Sequence, residues 1–368
     1  MPESTRANRS KHARYYRGAR TAHLERLEAQ HPGDFLYNKT LYDFDISKAP
    51  SGTRVRRVGI GTVLVSILKR EYDVLEIVEP YAPSALPQNL LISLVWRVSR
   101  IGGRTPTKLV TYAIENADLP EKFSQQFHLP LSLTQILLRR AVLFSYRSLE
   151  RIVFGTQDAA QNYQSLLGAS FDNRPKPERR TILGLSSPRP TTDAGSTQPT
   201  VIFVGALDDR KGVTLLLDAW PAVAARGLDA QLIVMGKGPK EDEVRSAVAD
   251  LDNVHFTVDP PRSAIWEALD RSDALVLLSQ PYPGWKEQIG LPIVEGLSAG
   301  LEIVASTETG VADWLSTHGH RVVPPNSSLS ELADAIHAAL AHRRSRAEIK
   351  GALPQRDGRL EADDWLHQ

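Results

Sequence analysis

VIFVGALDDRKGVTLLLDAW, residues 201–220, decides the fold class. Four apolar residues run into Gly205, a polar loop follows, and Gly212 opens a stretch with apolar residues at helical spacing. A short apolar run with a glycine exit reads as a strand buried on both faces, and strand–loop–helix is the repeating unit of parallel α/β architecture. The unit recurs downstream. QLIVMG (231–236), VHFTV (254–258), ALVLLS (274–279) and EIVAS (302–306) read as strands, with helices starting near Lys211, Lys240, Arg262, Pro292 and Ser328. Ser328 followed by Glu331 forms a capping-box pattern.

Upstream the same alternation is fainter. Residues 35–41, 74–78, 108–112 and 151–154 read as strands, and 63–70, 90–100 and 131–149 as helices. Residues 1–15 are polar and offer no convincing first strand. Residues 169–199 are rich in Pro, Ser, Thr and Gly, a composition that suits a linker. The expected organisation is a first Rossmann-like domain over 1–168, a linker over 169–199, a second domain over 200–348 and a tail over 349–368.

A length of 368 residues agrees with two domains at roughly 150 residues each. The 44 basic residues nearly balance the 43 acidic ones, so no global charge points to nucleic acid. The chain has no Cys, which excludes disulfides, thiolate metal sites and cysteine nucleophiles. The basic N-terminus is followed by no apolar stretch of signal-peptide kind, and no apolar run reaches 18 residues. A cytoplasmic protein is expected.

Ligands of parallel sheets sit at the carboxyl ends of strands, so the strand exits are the places to look for chemistry. At the exit of 201–204, Arg210 and Lys211 stand at a helix N-terminus, where the helix dipole disfavours cations. A bound phosphate would reverse that penalty; two solvated cations are the other reading. Gly236 and Gly238 in the turn GKGP allow close approach of a ligand to the backbone, or simply make a turn. In PYPGWKEQIGLPIVEGLSAG (281–300), Glu287 precedes a turn and Glu295 sits among apolar residues inside the helix that the turn opens. A half-buried carboxylate needs a partner, and a ribose diol or a neighbouring basic residue would serve.

Taken together, these motifs resemble the nucleotide-sugar-binding domain of retaining GT-B glycosyltransferases, in particular glycosyltransferase family four, the group 1 transferases. The resemblance covers residues 200–340, in the family's order and spacing. In the first half it is weaker, carried by YYRGARTAHLERL (15–27), DVLEIVEPYAPS (73–84), TYAIENADLPEKF (111–123) and RIVFGTQDAAQNY (151–163). It implies two Rossmann-like domains facing each other across a cleft, and a retaining transfer of sugar from a nucleotide donor to a glycan or glycolipid hydroxyl. No metal and no cofactor beyond the nucleotide sugar are implied, and Asp43 to Asp45 is read as ordinary strand-end carboxylates.

By position, the resemblance assigns the donor diphosphate to Lys211, with Gly205, Arg210, Gly236 and Gly238 around it. It assigns the transferred sugar to Glu287 and the backbone of Gln288, Ile289, Gly290 and Leu291, and the ribose to Glu295. Lys211 and Glu287 would dominate catalysis. Gly18, Glu79, Glu115 and Asn116 fall on the acceptor side. The sequence departs from the family pattern at Ala206 (usually Arg), Gln288 (usually Gly), Ala19 (usually Gly) and Glu115-Asn116, where many members carry a His. These departures motivate an alternative, a degenerate GT-B protein that binds nucleotide or a partner without turnover.

Of the histidines, His23 faces either the cleft or solvent, and the late ones, His318, His320, His337, His342 and His367, are expected to be mostly solvated. Arg6, Arg9, Lys11, Arg14, Arg17 and Arg20 make the N-terminus basic, and residues 129–153 mix Leu, Ile and Phe with Arg139, Arg140, Arg147 and Arg151. This pattern reads either as peripheral contact with an anionic membrane or as a core helix with a solvated basic face.

Overall fold

The computed structural model describes residues 11–41, 44–101, 106–172, 177–190 and 198–368. The chain divides into two compact units, Met1–Leu183 with Arg359–Gln368, and Gly184–Gly358. Asp43 and the basic residues Arg6 and Arg9 lie outside the described residues.

The first unit holds, among the described residues, a parallel sheet of β1 (His12–Ala19), β2 (Asp34–Thr40), β3 (Val55–Arg57), β4 (Val74–Glu76), β5 (Lys108–Ala113), β6 (Leu149–Phe154) and β7 (Glu178–Thr181). Their order is β3-β2-β1-β4-β5-β6-β7. Alternation along the strands divides the side chains between two faces. Leu75, Leu109 and Ile152 join the main core beneath the helices, whereas Val74, Val110 and Val153 point the other way. That second face is covered by the helix Gly358–Leu366 through Ala362, Trp365 and Leu366.

The second unit is a parallel sheet of β8 (Thr200–Val204), β9 (Gln231–Gly236), β10 (Val254–Val258), β11 (Ala274–Leu277), β12 (Glu302–Ser306) and β13 (Arg321–Val323). Its order is β10-β9-β8-β11-β12-β13. The apolar runs of β8, β11 and β12 are buried throughout, as central double-sided strands must be, whereas β10 at the sheet edge buries only Val254. Helix Leu329–Ala341 begins with the expected capping box between Ser328 and Glu331. In both sheets the strand order reverses once, between β1 and β4 and between β8 and β11, which makes those positions topological switch points.

Four expectations are corrected. The first strand exists: β1 is central, pairing with both β2 and β4. It is hard to read because Arg14 occupies an inward position and is fully buried, made acceptable by Asp363, which accepts from Arg14 Nε at 2.9 Å. The linker is shorter than 169–199, because Glu178–Thr181 pairs with β6 as an edge strand. The tail is no tail: its last helix closes the first sheet. His320 and His367 are also buried rather than solvated.

Asp363 also accepts from the backbone N–H of His31 at 2.8 Å, and Glu76 is ion-paired with Arg359 and lies 3.5 Å from Arg14. Burial would raise the Glu76 carboxyl, but Arg359, His367 and Arg14 together hold it well below the usual carboxylate range. Ligand atoms of Glu76, Asp363 and His367 fall within 4.8 Å of one another. Two buried guanidiniums already neutralise these carboxylates, so a metal cation there would meet strong repulsion. Beside this network His12, His31 and His367 crowd together, with His12 and His367 Nδ1 atoms 3.0 Å apart. Burial and the neighbouring His367 push His12 down to about 4. No helix among the described residues is long and apolar enough to cross a membrane.

Asp363→Ala strands Arg14 in the interior, and the first unit is expected to lose about 3–5 kcal/mol, read as a lower urea midpoint. The first unit should also weaken on acidification. The folded pKa of His12 lies below its unfolded value of roughly 6.5, so the unfolded chain takes up protons first and stability falls between pH ~6.5 and ~4. The depressed Glu76 carboxyl adds a loss of the same sign at lower pH. Melting temperature against pH, with His12→Gln flattening the upper part of the curve, checks this.

Candidate functional site

The exits of β8, β9 and β11 meet at the carboxyl edge of the second sheet, around its switch point. The loop after β8 packs backbone to backbone on the turn after β9: Gly205 N donates to Met235 O at 3.0 Å and Leu207 N to Lys237 O at 3.0 Å. A Cβ at Gly236 would lie 1.9 Å from Gly205 O, and one at Gly238 2.5 Å from Leu207 O. These glycines therefore admit a neighbouring loop, which is the plain-turn reading of GKGP. Gly212, at φ +69°, fits against Leu278, and Gln280 N donates to Arg210 O at 2.9 Å.

This packing delivers Lys211 to the exit of β11, where its ammonium ion-pairs with Glu287. Glu287 is buried and is also approached by Ser279 Oγ at 3.4 Å. The loop carrying it is pinned from β12's exit: Gly310 N donates to Gln288 O at 2.9 Å and Thr309 Oγ1 to Ile289 O at 3.2 Å. Gly290 then caps the helix Leu291–Ala299 at φ 78°. Sequence reasoning missed Trp285, which lies beside both cations. The Arg210 guanidinium sits 4.9 Å and Lys211 Nζ 5.2 Å from its ring centre. Asp208 holds Arg210 from the other side, at 3.2 Å from Nε. The only signal for Trp285 was an aromatic two residues before the glutamate.

Glu295 is buried in its helix and meets Arg262, so the basic partner rather than a diol satisfies it in this structure. Burial nevertheless raises its carboxyl, against the opposing pull of Arg262.

At the first sheet's switch point the expected residues are arranged differently. Gly18 lies within β1, paired with Lys39, and a Cβ there would meet the Leu41 side chain at 3.2 Å, so it is not a loop glycine. Glu79 is buried and accepts from the backbone N–H groups of Ile114 (2.8 Å) and Glu115 (2.9 Å). Burial lifts it to about 8 despite those bonds. Asn116 is buried too and accepts from Thr156 Oγ1 at 2.6 Å. Glu79 and Asn116 thus brace the β4 and β5 exits, while Glu115, raised by burial, remains partly exposed. Near them opens a pocket of about 430 Å³ whose lining includes Tyr81, Asp118, Gln135, Arg139, Asn162 and Ser165. Asn162 ties it to the β5 loop by donating to Glu115 O at 3.2 Å. His23 is half-buried, stacked on Tyr16 at 4.3 Å, and burial drives it down to about 3.

Residues 198–342 match the family described as glycosyl transferases group 1. Over 168 residues the chain is 29% identical to a phosphatidyl-myo-inositol mannosyltransferase of Mycolicibacterium smegmatis, covering 45% of this chain and 42% of that protein. The chain thus spans well under half the length of that curated relative. Among solved structures it resembles a lipopolysaccharide outer core galactosyltransferase, WaaB, with TM-score 0.63 at 10% identity, over 93% of this chain and 94% of that one. It also resembles Anabaena HepE in complex with UDP-glucose, with TM-score 0.62 at 14% identity, over 97% and 98%. These likenesses establish the fold: two parallel α/β Rossmann-like domains of GT-B type.

Gly212→Ala should destabilise the second unit by more than about 1–2 kcal/mol, since an L-residue in left-handed backbone costs that much before any clash with Leu278. Gly205→Ala, whose Cβ would find its nearest neighbour at 3.4 Å, should cost less. Urea midpoints of the two variants test the ordering.

Proposed function

We propose that this chain is a glycosyltransferase that moves a sugar from a nucleotide-sugar donor to a hydroxyl of a glycan or glycolipid, with retention at the anomeric carbon. The observation that carries the reading is the Lys211–Glu287 pair at the β8/β11 switch point, with Arg210 alongside on Trp285. Lys211 and Arg210 suit a diphosphate, and a fixed cation is worth most where charge develops as the diphosphate leaves. Arg210 would supply the second cation that Ala206 does not, which weighs against the non-catalytic alternative. Glu287, released from Lys211 by the phosphates, would accept hydrogen bonds from the sugar, together with the backbone of Gln288 to Leu291. Glu295 would trade Arg262 for the ribose hydroxyls.

In this scheme the bond from the anomeric carbon to the diphosphate oxygen breaks while the acceptor oxygen bonds to the same face. The acceptor proton passes to the departing phosphate oxygen. No resident metal is required, because side-chain cations meet the charge. The pocket beside Glu115 is rich in donors and acceptors, as recognition of a polyhydroxylated acceptor demands. The mannosyltransferase and galactosyltransferase that the chain resembles are consistent with an acceptor of sugar or glycolipid type. The reading includes a cytoplasmic enzyme that touches an anionic membrane peripherally.

Calorimetric titration with UDP, GDP, ADP and their sugars tests it. One nucleotide class should bind, and binding should weaken in Lys211→Ala and Glu295→Ala. Lys211→Ala should lower kcat/KM by about 10²–10³-fold with the fold retained by circular dichroism. Binding without transfer or donor hydrolysis would select the non-catalytic alternative, and no binding at all would remove the donor site.

A further inference from the structure

We propose that Arg262 selects the nucleobase of the donor, favouring bases that present a carbonyl oxygen, guanine or uracil, over adenine. The inference rests on the donor-site reading and deepens it. A nucleotide has a fixed covalent order of diphosphate, ribose and base, and the site in the second unit has side chains to match. Lys211 and Glu287 stand at the diphosphate end, and Glu295 is the residue proposed for the ribose. The side chain that meets Glu295 is Arg262. It comes from the exit of β10, the edge strand two places from β8, and so lies on the side of Glu295 where the base leaves the ribose.

The stretch VDPPR (258–262) makes Arg262 the hydrogen-bond donor there. Asp259 N already donates to Gly236 O at 3.2 Å, and Pro260 and Pro261 have no N–H. Residues 259–261 therefore offer a ligand no backbone donor, and recognition falls to the side chain that follows. Arg262 opens the helix Arg262–Arg271, and Trp266 lies one turn on, on the same helix face. The Arg262 guanidinium sits 5.0 Å from the Trp266 ring centre, and that of Arg189 4.4 Å from it. Arg189 is fixed in turn, with N donating to Ser298 O at 2.9 Å and Nη1 to Asp270 Oδ1 at 3.3 Å. Trp266 is thereby held half-buried, and its ring gives the planar guanidinium of Arg262 a flat rest. The Arg262 side chain is still 51% exposed. It meets Glu295 Oε1, a buried carboxylate oxygen, as an ion pair without hydrogen-bond alignment. Once ribose hydroxyls take Glu295, the N–H edge of Arg262 turns to the base. A guanidinium has donors only. Guanine sets the acceptors O6 and N7 side by side and uracil offers O4, whereas adenine meets the guanidinium with its own N6 amino donor.

Calorimetric titration of the full chain with GDP, UDP and ADP, in wild type, Arg262→Gln and Arg262→Lys, tests the assignment. In the wild type the tighter of GDP and UDP should exceed ADP about tenfold or more, and whichever of the two leads names the base. Arg262→Gln should bring ADP to within about threefold of the leader, because an amide offers the adenine amino group an acceptor. The same amide still gives Glu295 a donor. Arg262→Lys, which keeps a donor-only head, should preserve the wild-type order. With Arg262 exposed, both variants should retain the wild-type circular dichroism and urea midpoint. Equal weakening of all three nucleotides in Arg262→Gln would overturn the proposal and reduce Arg262 to a counter-ion of Glu295. A wild type that binds ADP as tightly as GDP and UDP would overturn it as well. Binding of no nucleotide by the wild type would remove the donor site and this assignment with it, whereas unaltered selectivity in Arg262→Gln would remove this assignment alone.

Discussion

A parallel sheet whose strand order reverses cannot cover its own reversal point. On either side of β8 and β11 the connections leave in opposite directions, so the carboxyl ends of these two strands open into a crevice that no helix fills. Everything in the candidate donor site hangs on that constraint. It sets the loop carrying Arg210 and Lys211 opposite the loop carrying Trp285 and Glu287, and it leaves charged side chains with each other for company. The ion pair of Lys211 with Glu287 neutralises a crevice that would otherwise hold an uncompensated buried carboxylate.

The same topology in the first unit meets a different difficulty. A central strand must bury both faces, yet β1 carries Arg14 on one of them. Asp363 and Glu76 answer its charge, and Arg359 in turn answers Glu76. Buried networks of this kind contribute little net stability but make loss of any one partner costly. The last helix of the chain is thereby committed to the first sheet, although the polypeptide reaches it only after building the whole second unit.

The candidate donor site and the first unit differ in how much of them was legible. In the second unit the strands β8 to β12 stood out as apolar runs, and Lys211 with Glu287 stood out as charges at strand exits. Both signals are local. The acceptor-side assignments at Gly18, Glu79 and Asn116 rested on resemblance; the structure sets Gly18 within β1 and has Glu79 and Asn116 bracing strand exits. The burial of Glu79 has no local signature; two backbone N–H groups from a different strand exit allow it.

The sequence by itself determined the fold class, the strand order of presentation and the residue types at the second sheet's exits, because burial on both faces and turn chemistry leave marks within a few neighbouring residues. Only the tertiary structure decided that a polar N-terminal stretch is the central strand β1, that the expected tail is a core helix, and that Trp285 gathers Arg210 and Lys211 in front of Glu287. Those outcomes depend on partners far apart in the chain, Arg14 with Asp363 above all, and a charge cancelled at such a distance has no local signature.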